Sequence, residues 1–423
     1  MKPGTLIIIV LCVASVLLAE FLIYLQILPF IATFRNVTLI YIIKFAYWSI
    51  LPLFIACFFI IWKTYYKPQK AAFSGIMFKL AGLFILIYIP KILFAATLIL
   101  QKIASWSYQL YLITFQPLKH DHDLFLNENP FNFIPRTGMF LSGIVFMLIL
   151  YGITLGRFRF RIRRINLTFK TLPDEFDGFK TIHISDIHTG SLHGNQHRYM
   201  KAVRLINNEN PDLIFFTGDM VNEFSEELEG WENVIGKLQA EYGKFSVLGN
   251  HDYGDYYPWQ DAEDKEKNLR KIIDREINMG FRILMNESAV ISNNGQKIRI
   301  IGVENWGLPP FKQYGRLDQA LAETDNSEFK ILLSHDPSHW EAEITGKTNI
   351  DLTLSGHTHG FQFGIKTGRL KWSPVKWMYP RWEGLHKNGN QFLYINTGLG
   401  YIGFPGRIGM SPEITVICLF TEK

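Results

Sequence analysis

The hydrophobic and polar positions of this chain divide it into two regions with different patterns. Before residue 156, apolar residues form long runs that few charges interrupt. After residue 165, short apolar runs alternate with amphipathic helical stretches such as 196–209 and 261–279. Long apolar runs are typical of membrane-spanning helices, whereas short strands alternating with helices are typical of an α/β domain. The pattern therefore predicts a membrane region followed by an α/β domain.

Four apolar runs are long enough for helices that cross a bilayer, which takes about 20 residues each. They cover about residues 5–28, 38–62, 74–100 and 138–156. The first run is longer than the apolar part of a signal peptide, and no A-x-A-like cleavage site follows it. We therefore expect all four spans to be retained, as a transmembrane domain over residues 1–156.

Basic residues near the spans predict their orientation. The segment between the second and third spans has no acid and carries Lys63, Lys67 and Lys70, and the fourth span is followed by Arg157, Arg159, Arg161, Arg163 and Arg164. Lys and Arg in short loops favour the cytoplasmic side. We therefore expect an integral, multi-pass protein of the inner membrane whose C-terminal domain is cytoplasmic. Residues 157–164 are predicted to be a basic linker, which either marks the topology or binds anionic headgroups.

Several residues in the membrane region admit two interpretations. Four charged residues fall inside the spans and either form buried pairs or, for the lysines, reach the interfaces: Glu20, Lys44, Lys79 and Lys91. Residues 119–123, Lys-His-Asp-His-Asp, either bind a metal or form a solvated loop. The cysteines, Cys12, Cys57 and Cys418, show no C-x-x-C pair, so no disulfide framework is expected. The net charge of +5 is mild, and no nucleic-acid partner is expected.

The second region has five short apolar runs that end in residues of metal-binding type. These endings are Ser185-Asp186-Ile187-His188, Thr217-Gly218-Asp219, Gly249-Asn250-His251-Asp252, Ser334-His335-Asp336-Pro337 and Ser355-Gly356-His357-Thr358-His359-Gly360. Because ligand sites of α/β sheets lie at the carboxyl ends of strands, the five endings are expected to meet in one cleft. Carboxylates together with imidazoles suit Mn, Fe, Zn, Ni or Co rather than calcium.

The spacing inside these motifs suggests how the side chains converge. Asp186 and His188 are two residues apart, so on an extended backbone both side chains point to the same side. His357 and His359 have the same relation. The backbone is expected to turn tightly at the glycines that precede three motifs, Gly218, Gly249 and Gly356.

Taken in order, the motifs D-x-H, G-D, G-N-H-D, H and G-H-x-H resemble those of the calcineurin-like metallophosphoesterase superfamily, over nearly all of residues 165–423. The chain is most similar to the bacterial membrane-associated branch, on Leu172-Pro173, Asp177-Gly178, residues 396–401 and residues 407–414. It departs from that branch at Phe361, where a glycine is common, and at residues 302–306, where two adjacent aspartates are common.

The resemblance implies a two-sheet α/β sandwich flanked by helices, and a centre of two divalent metal ions, Mn, Fe, Zn or Ni. It implies that the first ion is held by Asp186, His188 and His359, and the second by Asn250, His335 and His357. Asp219 would bridge the two ions. His251 would face the substrate, oriented by Asp252.

A pair of divalent cations is suited to phosphoester hydrolysis, because it neutralises the anionic phosphoryl oxygens. The membrane region favours a phosphodiester or pyrophosphate of a lipid or lipid-linked substrate. The aromatic segment from Trp372 to Trp382 is either an apolar lip for acyl chains or ordinary packing. Two alternatives remain: a phosphodiesterase for a soluble nucleotide or cell-wall substrate, with the membrane part as a tether, and a non-catalytic membrane scaffold.

Overall fold

The computed structural model describes residues 3–65, 72–115, 130–367 and 370–422. They form two compact units: Met1–Ile60 with Leu80–Tyr151, and Ile61–Lys79 with Gly152–Lys423. The first unit is helical and the second is built on two β-sheets. The predicted fold class, a helical transmembrane region followed by an α/β sandwich, is confirmed.

Each of the four predicted spans is a helix that is long and apolar enough to cross a membrane. The helices are α1 (Pro3–Ile31), α2 (Val37–Tyr65), α3 (Ala72–Phe115) and α4 (Phe133–Thr154). α3 has 44 residues and extends 15 residues beyond the predicted end at residue 100. The helix continues because apolar residues recur through residues 101–115 and this stretch contains neither glycine nor proline. The predicted metal-type segment 119–123, with Lys67 and Lys70, lies outside the described residues.

Two of the charged residues inside the spans form an ion pair in the first unit. The Lys91 ammonium lies 2.8 Å from the Glu20 carboxylate, which is almost fully buried. The Tyr47 hydroxyl donates to the Glu20 carbonyl at 2.7 Å, and the ammonium lies over the rings of Tyr47 and Tyr88. An ionised group in hydrocarbon is costly unless it has a partner, so the pairing joins α1 to α3.

Two six-stranded sheets form the second unit. The first has the order β1 (Arg161–Phe169), β14 (Glu413–Thr421), β2 (Lys180–Ile184), β3 (Leu213–Phe216), β4 (Lys244–Ser246) and β5 (Phe281–Ile283). The second has the order β12 (Gly384–Asn388), β13 (Gln391–Ile395), β9 (Leu352–Ser355), β8 (Phe329–Leu333), β7 (Gln296–Gly302) and β6 (Glu287–Asn293). A separate hairpin pairs β10 (Ile365–Thr367) with β11 (Leu370–Trp372).

Alternating side chains along the strands build the layers of the sandwich. On β3, Leu213 and Phe215 face the core between the two sheets, while Ile214 and Phe216 face the helices on the outer side. This two-residue period follows from the pleat of the strand, and because both faces are covered, β3 is apolar throughout. The central strands β2, β3, β4 and β7, β8, β9 run parallel within their sheets, so their carboxyl ends lie at common edges.

Helices cover the outer face of each sheet. The first sheet packs on α5 (Gln196–Asn207), α6 (Glu232–Ile235) and α7 (Ala262–Asn278), and the second on α8 (Leu317–Leu321) with the helical turn Trp340–Ile344. Tyr199 of α5 and Ile272 of α7 are completely buried in the first outer layer. The sandwich is thereby closed on both faces, and its loops are left to form the site.

The stretch predicted to be a basic linker is folded. It forms a short 3-10 turn, Gly156–Phe158, and then the beginning of β1 at Arg161. Arg163 and Arg164 have acidic partners, Glu383 at 3.8 Å and Glu209 at 2.5 Å. β1 is an edge strand, and charged side chains on its exposed positions are compatible with pairing to β14 on the other side. These arginines therefore belong to the domain that follows them.

Candidate metal centre

The five polar motifs follow the carboxyl ends of five parallel strands, as the pattern predicts. Three motifs follow β2, β3 and β4 of the first sheet, and two follow β8 and β9 of the second. Both sheets therefore contribute to one group of buried side chains. All the residues expected to bind metal are drawn together in it: Asp186, His188, Asp219, Asn250, His335, His357 and His359.

One half of the group contains Asp186, His188, Asp219 and His359, all of them buried. The Nε2 atoms of His188 and His359 are 3.0 Å apart. His359 Nε2 is 3.3 Å from Asp186 Oδ1, and His188 Nε2 is 3.5 Å from Asp219 Oδ2. Four donor atoms thus face a common point.

The other half contains Asp219, Asn250, His335 and His357. His335 Nε2 is 3.2 Å from Asp219 Oδ2 and 3.1 Å from Asn250 Oδ1. His357 Nδ1 is 2.9 Å from the same Asn250 oxygen and 3.2 Å from His335 Nε2. Asp219 Oδ2 therefore faces the donors of both halves.

The donor set fits two divalent cations. Two ligand atoms bound to one ion at about 2.1 Å and at right angles lie about 3.0 Å apart, as the paired donors do here. A shared carboxylate between two such sets is also what holds two cations close together.

The backbone brings these side chains together differently from the extended conformation that their spacing predicts. Asp186, His188, His357 and His359 all have φ between 50° and 70°, in the left-handed region, and so does Asp219 at 59°. The prediction of an extended backbone is therefore wrong at both motifs. The loops are instead held by bonds between them: the backbone N–H groups of Ile187 and His188 donate to the Asp219 carbonyl. Left-handed residues other than glycine are costly and cluster at functional sites.

The glycines of the motifs do two different things. Gly218 has a φ of 89°, and a Cβ there would come within 2.4 Å of the Gly249 backbone nitrogen. Gly249 and Gly356 have ordinary φ values, but a Cβ would come within 2.2 Å of Asp219 Oδ1 and 1.9 Å of Ser185 Oγ respectively. Only Gly218 is needed for the turn. The other two let the metal-site loops approach closely.

The imidazoles of the first half are held neutral, as a metal ligand has to be. Burial lowers the pKa of His188 to about 3, and burial also lowers the pKa of His359 well below its ordinary value. His335 differs, because burial lowers its pKa but the carboxylates of Asp219 and Asp186 raise it to about 10. A strongly basic imidazole beside two buried carboxylates indicates negative charge that a cation would neutralise.

The pKa values of two buried acids also indicate excess negative charge in this group. Burial raises the pKa of Asp186 to about 7, and the neighbouring Asp219 adds to this effect. Burial also raises the pKa of Asp252 to about 7. A buried carboxylate is costly unless hydrogen-bond donors or positive charge lie nearby. The residues present therefore suit divalent cations in their charge as well as in their geometry.

The imidazole of His251 lies beside the group and is partly exposed. Its Nδ1 is 2.9 Å from the Asn222 carbonyl, which can only accept, so Nδ1 donates and Nε2 is left for a ligand. The ring packs edge-on against His188, with centroids 5.0 Å apart. Its backbone N–H donates to Asp219 Oδ1 at 3.0 Å. His251 thus adjoins the donors without sharing their positions.

Asp252 does not have the orienting position that the resemblance implies. Its two carboxylate oxygens accept backbone N–H groups at 2.8–3.2 Å, from Asp219, Met220, Val221 and Gly249. The ring of His251 is oriented instead by the Asn222 carbonyl, with Glu223 Oε1 at 3.8 Å from Nδ1. Asp252 therefore ties the loop after β3 to the loop after β4, because a buried carboxylate can satisfy several backbone donors at once.

Asn222 is a site residue that the motifs did not indicate. Its Oδ1 accepts from His188 Nδ1 at 3.0 Å, which leaves Nε2 of that ring to face the other donors. Its Nδ2 donates to Ser191 at 3.1 Å and to Ser74, in the first turn of α3, at 3.0 Å. Asn222 comes three residues after Asp219 in a loop, and no spacing rule marks such a residue.

Tyr379 and Asp336 are a second unexpected pair. The Tyr379 hydroxyl is 2.8 Å from His357 Nε2 and donates to Asp336 Oδ2 at 3.2 Å. Because the Tyr379 hydroxyl donates its one proton to Asp336, His357 Nε2 is the donor in its contact with that hydroxyl. This chain of two hydrogen bonds fixes the orientation of His357. Asp336 is adjacent to His335, and Tyr379 reaches the site from a distant loop.

Replacement of Asn222 tests how far the ring of His188 depends on its neighbour. We expect Asn222→Ala to lower the affinity for divalent metal by roughly 10- to 100-fold, the usual effect of removing the partner of a metal-binding histidine. Calorimetric titration of metal into the stripped protein measures this, with Asn278→Ala on the exposed end of α7 as the matched control. An affinity equal to that of the control would show that His188 needs no such support.

Comparison with known proteins finds phosphoesterases both by family model and by sequence similarity. A family model described as calcineurin-like phosphoesterase matches residues 179–361. The Bacillus subtilis uncharacterized metallophosphoesterase YkuE is 32% identical over 255 residues, which cover 59% of this chain and 81% of that protein. A Danio rerio transmembrane protein with metallophosphoesterase domain is 26% identical, over 65% of this chain and 61% of its own length.

Among solved structures, the Mycobacterium tuberculosis phosphopantetheinyl hydrolase PptH is similar at 15% identity with a TM-score of 0.29, over 52% of this chain and 96% of that chain. A Danio rerio dimetal phosphatase has 12% identity and a TM-score of 0.31, over 53% of this chain and 88% of that chain. The family assignment depends on the sequence relatives and on the site. The chain belongs to the calcineurin-like metallophosphoesterase family and is a phosphoester hydrolase, and its described residues include four apolar helices of membrane-spanning length.

Proposed function

We propose that this protein hydrolyses a phosphodiester or pyrophosphate bond of a lipid or lipid-linked substrate, using two divalent metal ions. The first ion is assigned to Asp186, His188 and His359, and the second to Asn250, His335 and His357. Asp219 is assigned to both. The observation that carries the proposal is the position of Asp219 Oδ2, 3.5 Å from His188 Nε2 and 3.2 Å from His335 Nε2.

The cations and His251 would have different roles in the reaction. When bound, the two cations supply the positive charge that neutralises phosphoryl oxygens and makes a water molecule acidic enough to give hydroxide near neutral pH. The Asn222 carbonyl engages His251 Nδ1, which leaves Nε2 of the ring available to a substrate. Its role is to stabilise the charge that develops on the phosphoryl group or to protonate the leaving oxygen.

An apolar cavity beside the centre supports a substrate with a hydrophobic part. The cavity has a volume of about 370 Å³ and is lined mainly by Leu308, Pro310, Phe311, Met378, Tyr379 and Pro380. Phe311 packs edge-on against the ring of His357 with centroids 4.9 Å apart, so the cavity adjoins the second set of donors. Ligand sites are typically apolar clefts with a few polar groups. The aromatic segment that ends at Trp382 contributes Met378 and Tyr379 to it.

The proposed location is the inner membrane with the phosphoesterase domain in the cytoplasm. The support is the excess of Lys and Arg after the second and fourth spans, Lys63 and Arg157 among them. Basic residues in short flanks are retained on the cytoplasmic side during insertion. A cytoplasmic domain whose first strand begins at Arg161, a few residues after the fourth span, starts at the membrane surface.

The experiment that tests the activity uses the full-length protein in detergent, stripped of metal. Bis-p-nitrophenyl phosphate and p-nitrophenyl phosphate are assayed after addition of Mn, Zn, Ni or Mg, with Asp219→Asn as the inactive control. We expect metal to restore hydrolysis, and the diester to be the better substrate. The lipid proposal is tested next with two pyrophosphate substrates that share the same nucleotide headgroup. One carries a lipid on the other side of the pyrophosphate, and the other is soluble.

Each result separates the proposal from its alternatives. Faster turnover of the soluble nucleotide would identify the membrane region as a tether and overturn the lipid substrate. Absence of both bound metal and activity would support a non-catalytic scaffold. Bound metal with activity confined to the lipid pyrophosphate would agree with the proposal.

A further inference from the structure

One surface of the second unit exposes an unusual number of large apolar side chains. It surrounds the hairpin of β10 and β11 and the turn Pro374–Trp377, and we call it the hairpin face. Trp377 and Met378 are 73% and 71% exposed, and the other members are also open to solvent: Phe361, Phe363, Ile365 and Leu370. The ring of Trp372 connects two of these side chains, since its centroid lies 6.3 Å from that of Phe363 and 5.9 Å from that of Trp377. A large exposed apolar patch on a folded domain marks a surface that interacts with protein or membrane.

The charge of the same segment identifies the partner. Residues 361–382 contain five Lys and Arg residues and no Asp or Glu. The next acid, Glu383, is buried and already contacts Lys366 and Lys371. Lys376, next to Trp377 in the turn, is exposed. Exposed tryptophan and leucine interleaved with lysine is the composition that binds the interface of an anionic bilayer, with rings among the acyl chains and ammonium groups at the phosphates.

Backbone contacts tie the hairpin face to the end of α4. The N–H of Arg407 donates to the carbonyl of Gly152, in the last turn of that helix, at 3.1 Å. A Cβ on Gly152 would come within 2.5 Å of the Ile408 side chain, so helix and loop touch directly. Ile408 in turn forms a β-bridge with Phe363, and its carbonyl accepts the N–H of Gly364 at 3.0 Å. The base of the hairpin is therefore joined to the point where an apolar helix ends.

We infer that the hairpin face inserts into the interface of the bilayer that α4 spans, on a leaflet that contains anionic phospholipid. The occupant is lipid because the patch is apolar, carries the exposed Lys376 beside Trp377, and is joined to the end of an apolar helix of membrane-spanning length. Phe361 follows His359 by two residues, so the inserted face adjoins the metal centre. This surface is independent of which phosphoester is cleaved, and its test needs no turnover.

The test measures the depth of single labels in the full-length protein reconstituted in nanodiscs. Cys12, Cys57 and Cys418 are first replaced by alanine, and one cysteine is then introduced as Trp377→Cys or as Ile277→Cys. Ile277 is a matched control, since it is 53% exposed on α7. Each variant is labelled with the environment-sensitive fluorophore NBD, in discs of phosphatidylcholine alone or with phosphatidylglycerol, and shallow doxyl lipids are added as quenchers.

We expect doxyl lipid to quench the label at position 377 strongly and the label at position 277 hardly at all. Quenching at 377 should be greater with phosphatidylglycerol and should fall when Lys376→Glu is added. Equal quenching at the two positions would overturn the inference. A blue-shifted label at 377 that doxyl lipid does not quench would also overturn it, because the face would then lie against protein. Quenching that is the same with and without phosphatidylglycerol would overturn the assignment to anionic lipid.

Discussion

Asp219→Asn is expected to lose bound metal and at least roughly a thousandfold in turnover, since cations of this kind contribute several kcal/mol to the transition state and each 1.36 kcal/mol is tenfold in rate. One oxygen of Asp219 faces His188 and His335 together, so the substitution removes a ligand from both halves of the centre. Asparagine has the same shape but one neutral oxygen, and it cannot balance two cations. Occupancy should therefore fall for both ions, and not for one alone.

Elemental analysis of the purified variant, together with its rate on bis-p-nitrophenyl phosphate, measures both effects. Asp274→Asn, an exposed aspartate on α7, is the matched control and should keep metal and activity. Full occupancy of both sites in Asp219→Asn would refute the bridging role. Loss of a single ion would assign Asp219 to one half only.

His251→Ala is expected to keep both metals and to lose roughly 10²- to 10⁴-fold in turnover, the range of a proton-transfer residue. The ring can be removed without disturbing the donors because it is the backbone N–H of His251, and not the side chain, that binds Asp219 Oδ1. A loss of charge stabilisation or of proton transfer would appear in kcat, with metal content unchanged. His197→Ala, on the exposed side of α5, is the control.

The leaving group distinguishes the two roles open to His251. If the ring protonates the leaving oxygen, the loss should be small for a p-nitrophenyl ester, whose phenolate needs no proton, and large for an alkyl ester. If the ring stabilises the phosphoryl charge, the loss should be similar for both esters. Loss of both metals together with activity would contradict either role and would make His251 a structural residue.

The architecture and the donor set could be predicted because each depends on a local pattern. The runs before residue 156 are long and apolar enough for helices that cross a membrane, and the described part of the chain has four helices of this length and composition. The run Leu213–Phe216 is apolar throughout because both faces of its sheet are covered, and Asp219 follows its last residue by three positions. Aspartate and histidine placed directly after buried strands are unusual enough that their convergence could be expected.

Other features could not be predicted because they depend on contacts with segments that are distant in the sequence. The extended backbone expected between Asp186 and His188 is replaced by left-handed residues, which the Asp219 carbonyl holds from the neighbouring loop. Asp252 was expected to orient His251, but its oxygens are taken by backbone N–H groups of two loops. Arg161, Arg163 and Arg164 were expected to lie in a linker, but they form the beginning of β1, which pairs with β14.

The sequence by itself therefore determined the class of the protein: membrane helices, an α/β domain, and the kinds of side chain available to bind metal. Periodicity and composition carry this information because they report on local burial. Only the tertiary structure decided which residues support those ligands, such as Asn222 behind His188 and Tyr379 behind His357. The same is true of the hairpin face and its link to Gly152. The partners of a hydrogen bond and the exposure of a surface depend on how distant segments pack, and a single sequence does not record that packing.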